Sequence, residues 1–183
     1  MRITAGECRG RVLYFPSRSS QRPTTDFLRS ALFNLLGLPA PGDILDLFAG
    51  SGAVGLEALS RGAQSATFVE KNRALAAAIR KNAAICGYQD RCLIIEADVR
   101  VALGDLHGRD RKFDLVFADP PYNQGLIAET ICSLKNCPVF TDKGVIVFQH
   151  SVHEPLPPPD GWELADQRKY SDNVLSFVRM PKT

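Results

Sequence analysis

The sequence predicts an α/β protein with a mostly parallel sheet, an antiparallel hairpin at its C-terminal end and a small β-hairpin extension at its N-terminus. Three observations predict this fold. Apolar runs alternate with helical segments from residue 43 onward, a glycine-rich loop follows the first run directly, and the last two strand-like runs have no helix between them. Apolar runs joined by helices are typical of parallel strands that are covered on both faces.

The N-terminal segment MRITAGECRGRVLYFP predicts the hairpin extension. Short strands are expected around Ile3 and over residues 12–15, on either side of a turn region at residues 6–10 that begins and ends with glycine.

The stretch TTDFLRSALFNLLG predicts a helix whose N-cap is Thr24 or Thr25 and whose end is Gly37. Phe27, Ala31 and Leu35 fall on one face of this helix. We expect residues 1–37 to form an N-terminal extension and residues 38–183 to form the sheet domain.

Five apolar runs predict the parallel strands: ILDLFAG, ATFVE, CLIIEAD, DLVFADPPY and GVIVFQH. Helices are predicted between them at residues 53–61, 72–86, 99–106 and 125–135. In the tail, WELADQRKY and VLSFVRM predict two antiparallel strands around a turn at residues 171–173.

The composition is ordinary for a globular protein, with 45% hydrophobic and 23% charged residues among 183. No apolar run approaches the ~18 residues that a membrane span needs, and the N-terminus lacks the apolar stretch of a signal peptide, so we expect a cytoplasmic protein without a membrane partner. The five cysteines are an odd number and contain no Cys-x-x-Cys pair. This pattern argues against a disulfide framework and a zinc site, and no metal is expected.

The net charge of +2 is unevenly distributed along the chain. Residues 1–30 contain six arginines and two acids, which gives this segment +4 and leaves −2 for the remainder. A basic segment on a near-neutral body favours a polyanionic partner, although a solvated basic arm would look the same.

A glycine motif follows the first strand and opens the next helix, with Gly50, Gly52 and Gly55 in the spacing Gly-x-Gly-x-x-Gly. Glycines there let the backbone approach a ligand beside a helix N-terminus. Glu70 ends the second strand, where an acid can accept hydrogen bonds from ribose hydroxyls. The combination predicts a cofactor that contains adenosine.

Two further acids favour S-adenosylmethionine over a dinucleotide. Asp46 lies four residues before Gly50, where an acid would repel a pyrophosphate but suits a cationic aminoacyl group. Asp98 ends the third strand, where it can accept a hydrogen bond from an adenine amino group. Each acid can also be read as a helix-capping or turn residue, and these alternatives stay open.

The fourth strand ends in Asp119, Pro120, Pro121 and Tyr122. Prolines fix φ and donate no N–H, so this loop presents a rigid row of acceptors, the Asp119 carboxylate and the Pro120 carbonyl. Acceptors beside an aromatic ring suit the exocyclic amino group of an unpaired or flipped nucleobase. The alternative is a solvated Pro-Pro turn.

These motifs carry a resemblance to known enzymes. DLFAGSGAVGLEALSRGA, FVEKN and DPPY resemble class I S-adenosylmethionine-dependent methyltransferases that act on amino nitrogens. MRITAGECRGR and RPTTDFLRSALFNLLG resemble the RsmD family, bacterial 16S rRNA guanine-N2-methyltransferases, and the resemblance runs from residue 1 to about 180. It implies a Rossmann-like sheet of seven strands and, as substrate, one guanine in assembled or nearly assembled small ribosomal subunits.

The resemblance also implies a role for each matching position. The residues implied for the cofactor are Asp46, Phe48, Ala49, Gly50, Ser51, Gly52, Glu70, Asp98 and Val99. Those implied for the guanine are Asp119, Pro120, Pro121 and Tyr122, those for the substrate entrance are Arg22, Pro23 and Thr24, and those for RNA phosphates are Arg9 and Arg11. Three positions depart from the family pattern: Ser30, Gln149 and Ser171.

Three other functions compete with this one. An adenine-N6 methyltransferase on DNA or RNA would use the same DPPY chemistry, because adenine also offers an amino group. A non-catalytic assembly factor could retain the fold, but the intact Asp119 and glycine loop argue against it. A dehydrogenase would explain the three glycines and leave DPPY unexplained.

Overall fold

The computed structural model describes residues 1–16, 25–37, 40, 42–122, 124–154, 156 and 161–179. The residues predicted for the substrate entrance, Arg22, Pro23 and Thr24, lie outside the described residues.

Within the described residues, seven strands form one sheet and five α-helices surround it. The strands are β1 Asp43–Leu47, β2 Ser65–Val69, β3 Cys92–Ile95, β4 Phe113–Ala118, β5 Phe140–Ser151, β6 Glu163–Tyr170 and β7 Asn173–Arg179. The helices are α1 Asp26–Leu36, α2 Ala53–Ser60, α3 Arg73–Cys86, α4 Val99–Gly108 and α5 Leu126–Asn136.

The strand order is β3-β2-β1-β4-β5-β7-β6. Strands β1 to β5 pair in parallel, while β7 pairs antiparallel with both β5 and β6. Helices α1, α2 and α3 cover one face of the sheet, and α4 and α5 cover the other. The predicted α/β fold with an antiparallel C-terminal hairpin is confirmed.

One edge of the sheet, which we call the carboxyl edge, collects the C-terminal ends of the parallel strands. Because β7 is antiparallel, it begins at this edge, where Asn173 pairs with Ser151, the last residue of β5. Strand β6 ends there, since Tyr170 also pairs with Asn173. The carboxyl edge therefore runs continuously from β3 to β6.

The N-terminal segment forms an antiparallel loop with a single bridge, Arg2 to Val12, instead of the two predicted strands. Backbone hydrogen bonds at residues 1–3 and 10–13 join its two arms, but several N–H groups between them donate to α2 and do not extend the ladder. The backbone N–H of Thr4 donates to Glu57 Oε2 at 2.8 Å, and that of Cys8 donates to Ser60 Oγ at 3.0 Å. All eight residues of α2 are buried as a result.

Helix α1 begins and ends as predicted. The Thr25 hydroxyl accepts from the backbone N–H of Leu28, and Gly37 closes the helix with a φ of 84°. The face that carries Phe27 and Leu35 points outward, because these side chains are 69% and 40% exposed. Arg29 lies on the buried face.

The burial of Arg29 is compensated by a group of charges that we call the buried ion cluster, Arg29, Glu57 and Arg61. Arg29 Nε lies 3.2 Å from Glu57 Oε2, and Arg61 Nε lies 2.8 Å from Glu57 Oε1. Arg29 also pairs with Asp26 and donates to the Arg2 carbonyl. This arginine is therefore occupied inside the fold, and the basic charge counted in residues 1–30 is not all available to a partner.

The N-terminal segment and α1 share one apolar cluster with α2, α3 and the sheet, through Ile3, Leu13, Leu28, Leu32 and Phe33. The division into residues 1–37 and 38–183 stays a prediction.

Candidate active site

The glycine loop turns the chain from β1 into α2 at the carboxyl edge. Gly50 and Gly52 have φ values of 57° and 80°, a region that side chains with a Cβ rarely adopt. Gly52 is the N-cap of α2, and its N–H donates to the Ala49 carbonyl at 2.8 Å. The N–H groups of the first turn of α2 therefore face this edge, where the helix dipole favours negative charge.

The third glycine of the motif has a packing role. A Cβ on Gly55 would lie 2.4 Å from Phe68 Cε1, which is far inside van der Waals contact. Phe68 belongs to β2, so Gly55 lets α2 pack closely against the sheet and keeps the glycine loop in place.

The three predicted acids are each held by backbone N–H groups. Asp46 Oδ2 accepts from Gly55 at 3.1 Å, and Asp98 Oδ1 accepts from Arg100 at 3.1 Å as the N-cap of α4. Glu70 accepts from Gly50 at 2.9 Å and from Asn72 at 2.8 Å. Asp98 is thus the N-cap of α4, whereas Asp46 lies in β1 and binds the first turn of α2, whose N-cap is Gly52. Both arrangements leave the carboxylates able to accept more, because each has about four lone-pair sites.

The electrostatics of this edge centre on Asp46, which is 2% exposed. Burial raises the pKa of Asp46 well above its usual range, and the hydrogen bond from Gly55 only partly opposes this. Nearby Asp119 and Glu70 raise the pKa of Asp46 further. Three carboxyl groups that repel one another beside a glycine loop form a site that a cation would stabilise.

Asp98 has the opposite behaviour. The hydrogen bond from the Arg100 N–H, together with the Arg100 side chain, lowers the pKa of Asp98 despite slight desolvation. This carboxylate is exposed and ionised at neutral pH, so it is a ready acceptor at the end of β3.

A narrow cleft, which we call the cofactor cleft, lies between the ends of β1, β2 and β3. Its lining residues are Phe48, Val69, Glu70, Lys71, Ala97, Asp98, Val99 and Pro121. Five of them were predicted from the sequence, four for the cofactor and Pro121 for the substrate. The structure therefore brings these predicted residues together in one place.

The DPPY loop follows β4 directly. Pro120 is buried, whereas Asp119, Pro121 and Tyr122 are half-buried. The Tyr122 hydroxyl donates to Asn173 Oδ1 at 2.8 Å, and Gln149 Nε2 approaches the same hydroxyl at 3.4 Å. The ring of Tyr122 is thus tied to β5 and β7.

Sequence reasoning missed the two residues that hold Tyr122. Gln149 was noted only as a departure from the family pattern, and Asn173 only as part of a turn. The signal for both is their position at the carboxyl edge, since Gln149 lies near the end of β5 and Asn173 begins β7.

The structure does not bring Arg9 together with this site. Arg9 and Arg11 are exposed, but the neighbouring Cys8 contacts Ser60 and Cys86, the last residues of α2 and α3. Helix α2 runs back from the carboxyl edge over eight residues, so its far end lies roughly 12 Å away.

In the described part of the chain, no helix combines the length and hydropathy that a membrane crossing needs. Among the same residues, no group of three or more His, Cys, Asp or Glu side chains is arranged to hold a metal ion.

Comparisons with known proteins place this chain in a family. The family model described as Conserved hypothetical protein 95 matches residues 1–179. Ribosomal RNA small subunit methyltransferase D of Escherichia coli (strain K12) is 38% identical over 166 residues, which cover 90% of this chain and 82% of that one. The protein of the same name from Haemophilus influenzae is 33% identical over 182 residues, 97% of this chain and 91% of that one.

A solved structure of a hypothetical protein from Thermus thermophilus superposes with a TM-score of 0.86 at 34% identity, covering 98% of this chain and 99% of that chain. The resemblance to the RsmD family is confirmed, and the chain belongs to the Conserved hypothetical protein 95 family.

Proposed function

We propose that this protein transfers a methyl group from S-adenosylmethionine to the exocyclic N2 amino group of a guanine in small-subunit (16S) rRNA. The observation that carries the proposal is the juxtaposition of buried Asp46 with Glu70 and Asp119 at the carboxyl edge. It combines a site suited to a cation with a loop suited to an amino group. The names of the E. coli and H. influenzae relatives support an rRNA substrate.

The residues present fit S-adenosylmethionine. Asp46 would face its cationic aminoacyl end, because a positive charge relieves the repulsion among Asp46, Glu70 and Asp119. Glu70 would accept from the ribose hydroxyls and Asp98 from the adenine amino group. When bound, the cofactor supplies a methyl group on a sulfonium centre, which an amino nitrogen attacks while the carbon–sulfur bond breaks.

The chain's own contribution is to position and polarise the amino group. An exocyclic nitrogen is a poor nucleophile because its lone pair delocalises into the base. Acceptance of its two N–H groups by the Asp119 carboxylate and the Pro120 carbonyl draws the nitrogen towards tetrahedral geometry. Asp119 then takes the proton that the methylated nitrogen must lose. Positioning and electrostatics of this kind supply much of an enzyme's rate enhancement.

Tyr122 would stack on the target base, which must be unpaired or flipped to reach the loop. Its hydrogen bond to Asn173 fixes the position of the hydroxyl end of the ring before the base arrives. The proposed partner is rRNA within an assembled or nearly assembled small subunit, in the cytoplasm, with no metal and no membrane involved.

The experiment is methyl transfer from methyl-labelled S-adenosylmethionine to small subunits prepared from cells that lack this protein. Label is expected in the rRNA with the wild type and at less than about one hundredth of that rate with Asp119→Ala. Cofactor affinity of the variant, measured by calorimetry, should fall far less than the transfer rate, because Asp46, Glu70 and Asp98 stay in place. Equal transfer by Asp119→Ala would remove Asp119 from the mechanism, and no transfer by the wild type would refute the substrate.

A further inference from the structure

A second cleft lies at the carboxyl edge, on the side of Tyr122 away from the cofactor cleft. We call it the aromatic cleft; it is lined by Thr25, Phe27, Leu28, Tyr170, Ser171 and Asn173. Its volume of about 390 Å³ is within the range of small-molecule sites. The proposed cofactor and target-base contacts use none of its lining residues directly.

The wall of the aromatic cleft is an exposed aromatic ring in a fixed position. Phe27 is 69% exposed, although it belongs to the first turn of α1. Its ring meets Tyr170 edge to face, with 5.7 Å between the ring centroids. The contact holds the Phe27 ring in place and leaves most of its surface open, as a stacking partner requires.

Polar groups stand beside this ring. Thr25, Ser171 and Asn173 offer two hydroxyls and one amide, a mixture that suits the polar edge of a nucleobase. Ser171 has a φ of 56°, in the first position of a two-residue turn between β6 and β7 where glycine is preferred. A serine at this position keeps a hydroxyl at the cleft despite the backbone strain.

The aromatic cleft continues the proposed active site. Asn173 lines the cleft and accepts the hydrogen bond from Tyr122, the ring proposed to stack on the target base. Along the carboxyl edge, the cofactor cleft lies at β1–β3, the DPPY loop at β4, and the aromatic cleft at β7 and β6. A single strand of RNA that inserts one base at Tyr122 would thus pass the aromatic cleft next.

We propose that the aromatic cleft binds an unpaired nucleobase that flanks the target guanine, with this second base stacked on Phe27. The inference rests on the proposed function, which supplies the guanine at Tyr122 that this second base flanks. Continuity with Tyr122 favours RNA over a protein partner, and base–aromatic stacking tolerates any base because each has a π-face.

The test uses fluorescence anisotropy with two probes of equal length, a fluorescein-labelled single-stranded oligouridylate and an oligomer of the same backbone without bases. Phe27→Ala should weaken oligouridylate binding by about 5- to 150-fold and leave the abasic probe unchanged. Phe27→Trp keeps a stacking surface and should restore binding. Leu35→Ala, which shortens an exposed apolar residue of the same helix, should change the binding of neither probe.

Parallel kinetics on small subunits separate this inference from the proposed function. Phe27→Ala should raise KM for subunits and leave KM for S-adenosylmethionine unchanged. If the wild type transfers methyl groups and Phe27→Ala alters neither binding nor KM, the cleft proposal is wrong and the function stands. A higher KM for subunits with unchanged oligouridylate binding would indicate a ribosomal protein contact and would also overturn it.

If the wild type transfers no methyl group, the proposed function fails, while the oligouridylate measurement still reports on the cleft. An equal loss of affinity for both probes in Phe27→Ala would indicate a phosphate contact or misfolding and would contradict stacking.

Discussion

Asp46, Glu70, Asp98 and Asp119 share the carboxyl edge, but their surroundings give them different properties. Burial and two neighbouring carboxyl groups raise the pKa of Asp46, whereas hydrogen bonds at a helix N-terminus lower the pKa of the exposed Asp98. The fixed N–H donors on Asp46, Glu70 and Asp98 orient these groups before a ligand arrives. The sequence alone shows an acid at each strand end, but the surroundings of each acid in the structure determine its properties.

The raised pKa of Asp46 predicts pH-dependent cofactor affinity. A cationic ligand favours the ionised carboxylate, so affinity should rise with pH through the raised pKa and release a proton on binding. Calorimetry of S-adenosylmethionine binding over a pH series measures both quantities. Asp46→Asn should bind weakly at every pH and lose this dependence; a flat wild-type profile would contradict the assignment of Asp46.

The raised pKa of Asp46 also makes the stability of the fold depend on pH. The folded-state pKa of Asp46 lies above its unfolded value, so its stabilising contribution is present at low pH and is lost as pH rises through the folded pKa. Bound cofactor should offset this loss, because it pairs with the ionised form.

Two variants of Tyr122 distinguish the contribution of its ring from that of its hydroxyl. Tyr122→Ala should lower kcat/KM on small subunits by about 5- to 150-fold, since base–aromatic stacking is worth about 1–3 kcal/mol. Tyr122→Phe keeps the ring but breaks the bond to Asn173, and we expect a loss of less than tenfold, about 1 kcal/mol. If the Phe variant is as damaged as the Ala variant, the hydroxyl and not stacking carries the role.

At the scale of elements, the N-terminal segment and α2 depend on each other. Backbone N–H groups of the segment donate to Glu57 and Ser60, and Glu57 in turn binds Arg29 and Arg61. Because Gly52 of the glycine loop is the N-cap of α2, this packing holds the glycine loop in place.

Glu57→Gln tests the buried ion cluster. Burial alone would raise the pKa of Glu57, but hydrogen bonds from Thr4 and the Arg61 and Arg29 charges outweigh burial and lower it. Glu57 therefore contributes stability above its unfolded pKa that is lost as pH falls through the folded pKa. Its replacement should lower the free energy of unfolding by about 3–5 kcal/mol at neutral pH, because two guanidinium groups lose their countercharge. The difference from the wild type should be smaller at acidic pH.

Urea denaturation at neutral and at acidic pH measures this difference in stability. The matched control is Glu7→Gln, since Glu7 is exposed and lies 3.5 Å from Arg91. Its loss should cost less than about 1 kcal/mol. A Glu57→Gln variant as stable as the control would contradict the structural role of the cluster.

The elements show what sequence can and cannot predict. The alternation of apolar runs and helices predicted β1 to β5 because it follows from local periodicity, and Glu70, Asp98 and Asp119 could be read directly from the ends of three of these runs. The contact of Tyr122 with Asn173 depends on the β5–β7 register between residues far apart in sequence, and no local pattern encodes it. The buried face of α1 was also missed, since an arginine ordinarily indicates solvent and the burial of Arg29 depends on partners distant in sequence, chiefly Glu57.

At the scale of the whole molecule, two surfaces serve different purposes. The carboxyl edge offers acids, acceptors and aromatic rings, whereas the exposed Arg9 and Arg11 lie on the N-terminal loop near the far ends of α2 and α3. We propose that these arginines contact RNA phosphates outside the target nucleotide, so that a large substrate spans both surfaces.

Charge reversal of Arg9 and Arg11 to Glu should weaken binding to small subunits, most strongly at low salt, and reduce the slope of log affinity against log salt. The control is Arg109→Glu with Lys135→Glu, two exposed residues that give the same change in net charge on the opposite face of the sheet. Equal loss in both double variants would mean that net charge matters and the N-terminal loop does not. A salt-independent loss would indicate misfolding.

The central claim is that the DPPY loop presents a guanine amino group to S-adenosylmethionine. Mass spectrometry of nucleosides from small-subunit rRNA, after reaction of subunits that lack the modification, tests it most directly. The predicted result is N2-methylguanosine with the wild type and none with Asp119→Ala. N6-methyladenosine in its place would contradict the claim, because it would keep the fold and the loop chemistry but assign them to the other base that carries an amino group.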